Sequence, residues 1–239
     1  MPDLIWIMLT VLVAASAQAV SGFGFALLAV PLMSVVISPQ EAVIISTLLG
    51  AASTVGQSVK DAHATERGIA IRLVVSAFVG MPFGLVAFSV AAEDTLRFAL
   101  GVVVAAATVL IARDFRLSGG RLAEYGMGFV SGALSTSLST NGPPLVFLLQ
   151  SRGLAPQAFR STINTVFAFS GVASIVFFVA SGNVSTTSVT AALWSLPVMG
   201  IAIVVGYRIR PFFPPHRFKW LVITLLGLSA LSSLYGALS

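Results

Sequence analysis

The stretch SGALSTSLSTNGPP, residues 131–144, interrupts an apolar run that covers residues 122–149. Its closing Asn-Gly-Pro-Pro ends a helix that arrives from Tyr125 and starts another toward Gln150, because two prolines in a row remove two backbone N–H groups. At bilayer depth a broken backbone is tolerated only where protein or water satisfies its free polar groups. The stretch therefore predicts a polar cavity inside a membrane protein.

The composition is that of an integral membrane protein. Of the 239 residues, 57% are hydrophobic and 9% are charged, and the mean hydropathy is +1.00, more than a water-soluble core needs. The formal charge of +5 rests on 13 Lys and Arg, which here mark cytoplasmic loops and argue against nucleic-acid binding. There is no Cys and there are two His, too few for a metal cluster. We predict no cofactor, no metal site and no catalytic residue.

Eight hydrophobic segments follow one another, and they form two similar halves. The segments are residues 4–37, 42–59, 69–92, 96–112, 122–149, 156–180, 189–207 and 218–238. Short matches recur in the same order in both halves: Ser21-Gly22 with Ser131-Gly132, Pro39-Gln40 with Pro156-Gln157, Gly80 with Gly200, and Arg97-Phe98 with Arg217-Phe218. This order indicates a duplication, with repeats at residues 1–117 and 118–239 of a single membrane domain.

The loop cations predict how the segments cross the membrane. Lys and Arg concentrate at residues 60–72, 113–121, 152–160 and 208–219, which the positive-inside rule places in the cytoplasm. Eight simple crossings would put these loops on opposite faces, whereas hairpins at the first and fifth segments put all of them inside. We therefore predict an all-α membrane protein of two inverted repeats. Each repeat has one broken or re-entrant helix hairpin and three crossings, and both termini are periplasmic.

Candidate substrate-binding residues lie at the hairpin tips and at the start of the sixth segment. Six of the seven residues from Ser135 to Asn141 are polar, more than back-bonding to their own helix explains. Hydroxyls, an amide and a helix N-terminus with unpaired N–H groups attract anions. We expect Gly24 to serve helix packing and Ser21-Gly22 to face the cavity. The full set is Gln18, Ser21, Gly22, Phe23, Gly24, Thr47, Ser135, Thr136, Ser139, Thr140, Asn141, Gly142, Pro143, Arg160 and Asn164.

Arg160 is the candidate counter-charge for the anion, because a guanidinium group forms a planar fork that suits sulfonate, sulfite or carboxylate oxygens. An interfacial arginine that snorkels to water would give the same sequence, so this alternative stays open. We expect no Asp or Glu deep inside an apolar run, and the sequence therefore does not support a buried carboxylate that relays protons. His63 lies in a mixed-charge loop that we expect to be solvated.

Three motifs carry a resemblance to a known family: SGFGFALLAVP at residues 21–31, SGALS and NGPP within residues 131–144, and FRST at residues 159–162. With these motifs the chain resembles, over essentially its whole length, the sulfite exporter TauE/SafE family of bacterial membrane permeases. The resemblance implies passage of small sulfur-containing anions such as sulfite or organosulfonates. It places Ser21, Gly22, Gly24, Ser131, Gly132, Asn141, Gly142, Pro143, Pro144 and Arg160 on motif positions.

We therefore expect a secondary transporter of the bacterial inner membrane that binds a small anion between the two hairpin tips. Its partners are this anion and the lipid bilayer; a proton is the default coupling ion, and a homodimer is compatible with the sequence. Two alternatives stay open, a passive anion channel with the same polar tips and a membrane accessory protein that transports nothing. An intramembrane enzyme is disfavoured because no pair of nucleophile and base is present.

Overall fold

The structure is a computed structural model that describes residues 2–117, 119–209 and 215–238. Every regular element in these residues is helical, which confirms the predicted all-α class. Arg210, one of the predicted cytoplasmic cations, lies outside the described residues. The helices are α1 (Pro2–Ser21), α2 (Phe25–Met33), α3 (Pro39–Lys60), α4 (Arg67–Val90), α5 (Glu93–Ala112), α6 (Arg121–Leu138), α7 (Gly142–Gln150), α8 (Pro156–Ala180), α9 (Thr186–Ile209) and α10 (Pro215–Leu238), with a 3₁₀ turn at Ala62–Ala64.

Within the described residues, six helices are long and apolar enough to cross a membrane, namely α1, α3, α4, α5, α8 and α9. In α10 the apolar part is the shorter stretch Val222–Ala237. Helices α2 and α7 have nine residues each, which extend over only about 13 Å of a hydrocarbon core of about 30 Å. The chain is a membrane protein, whereas the count of eight segments and the inversion of the two halves stay predictions.

Both predicted interruptions of the long segments are confirmed. The first segment is divided into α1 and α2 at residues 22–24, and the fifth is divided into α6 and α7 at residues 139–141. Pro31 lies inside α2 and does not interrupt it. Because Pro31 lies beyond the first turn, its missing N–H removes one of the few i→i−4 hydrogen bonds that a nine-residue helix can form.

Each pair of helices forms a hairpin whose end returns to its start. In the first hairpin, Trp6 Nε1 donates a hydrogen bond of 2.7 Å to the Leu32 carbonyl O. In the second, the Leu117 N–H donates a bond of 3.0 Å to the Phe147 carbonyl O. Because these bonds join residues near the two open ends, the chain leaves each hairpin beside the point where it entered.

Part of the helix order repeats along the chain with a constant shift. The shift is 117 residues from Phe25 to Gly142, where α2 and α7 begin, and again 117 from Pro39 to Pro156, where α3 and α8 begin. The two Pro-Gln pairs that the sequence matches both lie at helix starts with this shift. The register extends from the short helix of each hairpin to the start of the long helix that follows it.

The predicted match of Ser21-Gly22 with Ser131-Gly132 is wrong in this register. Ser21 is the last residue of α1, whereas Ser131 lies inside α6, seven residues before that helix ends at Leu138. A Cβ at Gly132 would overlap the Ala77 carbonyl O of α4. The Ser-Gly pair of α6 therefore serves contact with a neighbouring helix, and small residues at such contacts resemble those at turns.

The chain divides into two compact units, each built from both halves of the sequence. The first comprises Met1–Leu49, Ala91–Asp114 and Ser185–Ser239, and the second comprises Gly50–Val90 and Phe115–Val184. Each unit contains one complete hairpin, and the division falls within α3. The repeat boundary between residues 117 and 118 is a property of the sequence and stays a prediction.

In the second unit, α6 and α4 approach each other at backbone contact. A Cβ added to any of four glycines would overlap atoms of the opposite helix, so only glycine allows this approach. These glycines are Gly80 and Gly84 on α4 and Gly128 and Gly132 on α6. The long helix of the second hairpin is thereby fixed against α4.

In the first unit, fewer of the described glycines contact a neighbouring helix, and the atoms nearest to an added Cβ belong to side chains rather than to the backbone. A Cβ at Gly206 of α9 would lie 2.5 Å from the Ala19 Cβ of α1, and one at Gly101 of α5 would meet the Leu234 side chain of α10. Gly200, which the sequence pairs with Gly80, has no atom within 4 Å of the position its Cβ would take. The two units therefore hold their hairpins with different amounts of close packing.

Candidate substrate site at the helix breaks

The break between α6 and α7 is made by a residue with a left-handed backbone. Ser139 has φ 56° and ψ 9°, a conformation that non-glycine residues seldom adopt. Its N–H and that of Thr140 both turn back to the Leu134 carbonyl O. The last turn of α6 is thus closed by a serine at the position where glycine is the usual residue.

The start of α7 has fewer backbone donors than an ordinary helix N-terminus. Helix α7 begins at Gly142, and the next two residues, Pro143 and Pro144, have no N–H. The Asn141 side chain makes no capping hydrogen bond. An anion at this break would therefore depend mainly on side-chain hydroxyl and amide groups, which corrects our expectation of a donor-rich helix end.

Ser135 and Thr136, two predicted substrate ligands, are hydrogen-bonded to other helices. The Oγ atoms of Ser135 and Ser174 of α8 lie 3.0 Å apart in buried surroundings. Thr136 Oγ1 donates a bond of 2.6 Å to the Met81 carbonyl O of α4. In this conformation both side chains tie α6 to its neighbours.

At this break, the Thr140 hydroxyl group has no hydrogen-bond partner among the described residues. Thr140 is 1% exposed, and its Oγ1 is buried. Leaving such a group unpaired costs about 1–3 kcal/mol, which a bound hydrogen-bond acceptor would offset. Close by, Ser131 Oγ donates a bond of 3.0 Å to the Asn141 carbonyl O and holds the broken backbone.

The break between α1 and α2 is made by two glycines with left-handed backbones, Gly22 at φ 88° and Gly24 at φ 97°. A Cβ at Gly24 would have no atom within 4 Å, so the expected role of Gly24 in helix packing is wrong and its φ explains the glycine. Gln18 is buried, and its Oε1 has no partner in the described part of the chain. Phe23 is half-buried. The Ser21 side chain lies outside the described part.

The remaining candidates lie on the helices that follow the hairpins. Thr47 of α3 is buried, and its Oγ1 donates a bond of 2.8 Å to the Val43 carbonyl O of its own helix. Asn164 of α8 is buried; its Nδ2 lies 3.3 Å from Gln57 Oε1, and its Oδ1 has no described partner. Arg160 is half-buried and forms no ion pair with a described residue. Within the described residues, no group of three or more His, Asp or Glu is placed to hold a metal.

These candidates are divided between the two units. Those of the first hairpin and Thr47 belong to the first unit, and those of the second hairpin, with Arg160 and Asn164, belong to the second.

The family model of the sulfite exporter TauE/SafE matches residues 7–233, nearly the whole chain. The chain belongs to the TauE/SafE family.

A curated relative of this TauE/SafE protein is the "probable sulfite/organosulfonate exporter TauE" of Cupriavidus necator. The two are 27% identical over 104 residues, which cover 43% of this chain and 41% of the relative. The match thus spans about two-fifths of that relative's length. No solved structure matches the chain significantly.

The TauE/SafE protein also contains a buried ion cluster that sequence reasoning missed. Glu124, in the first turn of α6, is 4% exposed. Its Oε2 accepts a hydrogen bond from Nε of Arg72 on α4, and its Oε1 lies 2.7 Å from Nη2 of Arg152, just after α7. Glu124 lies at the start of its apolar segment and not deep inside it, yet it is buried, and two guanidinium groups compensate its charge.

Helical periodicity contains a signal for this burial. Glu124 shares one buried face of α6 with Gly128, Ser131 and Ser135, which follow at helical spacing. Beyond Arg121 at its start, α6 exposes large and largely apolar side chains, among them Leu122, Tyr125 and Phe129. In a membrane helix the polar face turns inward, so the position of Glu124 on that face predicts its burial.

Proposed function

We propose that this protein is a secondary transporter that moves a small sulfur-containing anion, such as sulfite or an organosulfonate, across the bacterial inner membrane. Membership of an exporter family and the name of the curated relative support this substrate class. Six helices of membrane-spanning length support a multi-pass arrangement. The observation that carries the proposal is the buried helix break at which Thr140 Oγ1 has no partner among the described residues.

The proposed substrate site of the second unit is the tip of the α6–α7 hairpin. Ser139, Thr140 and Asn141 would provide hydroxyl and amide groups to the anion oxygens, as broken helices do in transporters. Gly142 and Pro143 would shape the backbone of this tip, while Ser135 and Thr136 hold it in position.

Two amide side chains are further candidates, one in each unit. Gln18 precedes the first break, and Asn164 lies on α8; each has a buried amide oxygen without a described partner. An amide group presents either its oxygen or, after a rotation, its NH₂ group, so it can donate to an anion. We propose that both amides turn toward bound ligands.

Arg160 is the proposed counter-charge. It is half-buried, and no described carboxylate neutralises it. A guanidinium group can give two parallel hydrogen bonds to one oxyanion. Arg160→Gln should therefore abolish anion affinity without loss of the folded protein, and an unchanged affinity would assign Arg160 to the membrane interface.

We also propose that both hairpins are re-entrant, that the two repeats are inverted, and that both termini are periplasmic. The hydrogen bonds at the open ends of the hairpins support a return of the chain to the face of entry. In the first unit, Asp3, Glu41 and Thr186 line one cavity of about 460 Å³, and its described lining contains no Lys or Arg. The proposed topology places all three residues on the outer face.

This topology can be tested with single cysteines, because the chain has none of its own. We expect Glu41→Cys to react with a membrane-impermeant maleimide in intact cells. Arg113→Cys, on the proposed cytoplasmic face, should react only after the membrane is permeabilised. The reverse pattern would invert the orientation, and reaction of both residues in intact cells would contradict the proposed crossings.

Transport is tested with purified protein in proteoliposomes that are given sulfite, methanesulfonate, sulfate or acetate. Saturable flux of the sulfur anions that follows an imposed proton gradient would support a coupled transporter. Flux without saturation would indicate a channel, and absence of flux with every anion would favour an accessory protein.

The role of the break is tested with Thr140→Val, which removes the unpaired hydroxyl at nearly constant volume. If Thr140 binds the anion, KM should rise roughly tenfold, in line with the loss of one hydrogen bond to a charged group. The melting temperature should stay the same or rise, because a buried unpaired group is removed. The matched control is Ser137→Ala, whose hydroxyl only returns to the Ala133 carbonyl O of its own helix; its KM should not change.

A further inference from the structure

We propose that Arg72 and Arg152 form a second anion-binding site at the base of the α6–α7 hairpin, where the Glu124 carboxylate occupies the place that a substrate oxyanion takes during transport. The substrate class, a sulfonate or sulfite ion, rests on the function proposed above. The site itself is inferred from the geometry, charge and exposure of the three side chains.

The geometry is that of one oxyanion held by two guanidinium groups. Glu124 uses a different oxygen for each arginine, Oε2 for Nε of Arg72 and Oε1 for Nη2 of Arg152 at 2.7 Å. Sulfonate and sulfite ions also present several oxygens on one central atom and form the same charge-assisted hydrogen bonds with arginine. A small sulfur anion can therefore bridge the two groups as the carboxylate does.

The cluster has more positive charge and more donors than Glu124 uses. Two guanidinium groups face one carboxylate, so the three side chains together carry a charge of +1. Arg152 Nη2 also donates to the Gly120 carbonyl O at 3.1 Å, but its buried Nε has no partner among the described residues. Since each guanidinium has five N–H donors, the pair retains capacity for a further anion.

The exposure of the three side chains gives an anion access to the arginines. The side chains of Arg72 and Arg152 are 24% and 22% exposed, whereas that of Glu124 is 5% exposed. An anion from solvent therefore meets the guanidinium groups first, with the carboxylate behind them. This order suits an exchange in which the arriving anion displaces Glu124 from one arginine or from both.

The cluster and the hairpin tip are connected by a single helix. Glu124 lies in the first turn of α6 and Leu138 at its end, about 21 Å apart along the axis. The buried face that joins them carries Ser131 and Ser135. The hairpin base also lies among the basic loops that our topology places in the cytoplasm, the face from which an exporter takes its substrate.

The opposite interpretation is a purely structural ion bridge that ties α4, α6 and the end of α7 together. The two interpretations predict opposite effects of Glu124→Gln on anion affinity. A structural bridge gives weaker or unchanged affinity when its carboxylate is lost. If the carboxylate blocks an anion site, its loss in Glu124→Gln gives tighter anion binding, because both arginines become free for the anion.

The experiment measures methanesulfonate binding to the full chain in nanodiscs and its KM and kcat in proteoliposomes. We expect Glu124→Gln to lower Kd and KM roughly tenfold, and Arg152→Gln to raise both by a similar factor, as for hydrogen bonds to charged groups. In the double variant Glu124→Gln/Arg152→Gln the gain should disappear. Arg116→Gln is the matched control, because Arg116 is exposed and outside the cluster; it should change Kd less than twofold. Unchanged or weaker binding by Glu124→Gln would overturn the proposal.

Stability provides a second readout, because Glu124→Gln leaves two like charges close together. We expect this variant to melt at a lower temperature than the wild type and to be restored by methanesulfonate, which takes the place of the carboxylate. The double variant should not respond to the anion in this way. If Glu124→Gln cannot be recovered folded even in methanesulfonate, Glu124 is a structural requirement and the proposal is wrong.

Failure of this inference can be told apart from failure of the proposed function. If the wild type moves no sulfur anion, the proposed function fails, while the binding measurements still decide whether the arginine pair holds an oxyanion. If the wild type transports and Glu124→Gln leaves Kd and KM unchanged, transport stands and the second site fails.

Discussion

The two hairpins share a backbone plan and differ in the residues at their tips. With the shift of 117 residues between Phe25 and Gly142, Gly22 corresponds to Ser139, and both have left-handed backbones, at φ 88° and φ 56°. The first tip reaches this conformation with glycine at no steric cost, whereas the second uses a serine, which is strained by about 1–2 kcal/mol. Strain of this kind is characteristic of functional sites. The comparison supports the second tip as the one shaped for a ligand.

The hairpins also differ in how firmly their long helices are held. Helix α6 meets α4 at four glycines for which no larger residue fits, whereas α1 meets α9 at the single tight glycine Gly206. A hydroxyl hydrogen bond from Thr136 to Met81 strengthens the first of these contacts. The polar hairpin is therefore also the one whose long helix is fixed most closely to its neighbour, as a site with defined geometry requires.

The largest effect is expected from Gly132→Ala, which tests the close contact of the second hairpin. The added methyl group would overlap the Ala77 carbonyl O, and because a backbone atom cannot give way, the loss should be about 3 kcal/mol or more. Folded yield and thermal unfolding in detergent measure it. Gly126→Ala on the same helix is the control, since Gly126 is exposed and has open space around it. A melting temperature of Gly132→Ala equal to that of the control would contradict the contact.

An intermediate effect is expected from Gly22→Ala at the first tip. Alanine at φ 88° should lower stability by about 1–2 kcal/mol through backbone strain alone. Transport, measured on the folded fraction, should keep its KM if the first tip contributes geometry rather than ligands. A large rise in KM would give both tips comparable roles and weaken the contrast between them.

A smaller change in stability, but a clear change in function, is expected from Ser139→Gly. Glycine relieves the strain at φ 56° but makes the unfolded chain more flexible, so the free energy of unfolding should stay within about 1 kcal/mol of the wild type. The loss of the hydroxyl should raise KM for the anion. An unchanged KM would remove Ser139 from the proposed site and leave it as a turn residue.

The smallest overall effect, confined to stability, is expected from Thr136→Val, which removes the hydrogen bond between α6 and α4. The expected loss is about 1 kcal/mol, the typical net contribution of one hydrogen bond, and it should appear in thermal unfolding with little change in KM. If Thr136→Val raised KM as much as Thr140→Val, then Thr136 would be a ligand rather than a residue that fixes the hairpin.

Sequence reasoning succeeded where the cause was local. The helix break at residues 139–141 was predicted because the following prolines cannot continue a helix. It failed where a neighbour decided the role of a residue. Gly132 was matched with a turn glycine although it serves contact with α4, and Gly24 was assigned to packing although only its φ requires glycine.

Glu124 shows the same limit for charge. Its partners Arg72 and Arg152 come from other elements of the chain, 52 residues before it in the case of Arg72. The sequence placed both arginines in basic loops and did not connect either of them with Glu124. Helical periodicity can indicate that Glu124 is buried, but it does not show which cations compensate its charge.

The amino-acid sequence by itself determined that the chain lies in a membrane, that it is helical, and that two of its apolar segments are broken. These properties follow from hydrophobicity, from missing N–H groups and from backbone preferences that act within a few residues. Only the tertiary structure decided which hydroxyls are already paired, which glycines allow helices to touch, and that Glu124 lies between two arginines. Those outcomes depend on atoms brought together from distant parts of the chain, and no local preference contains them.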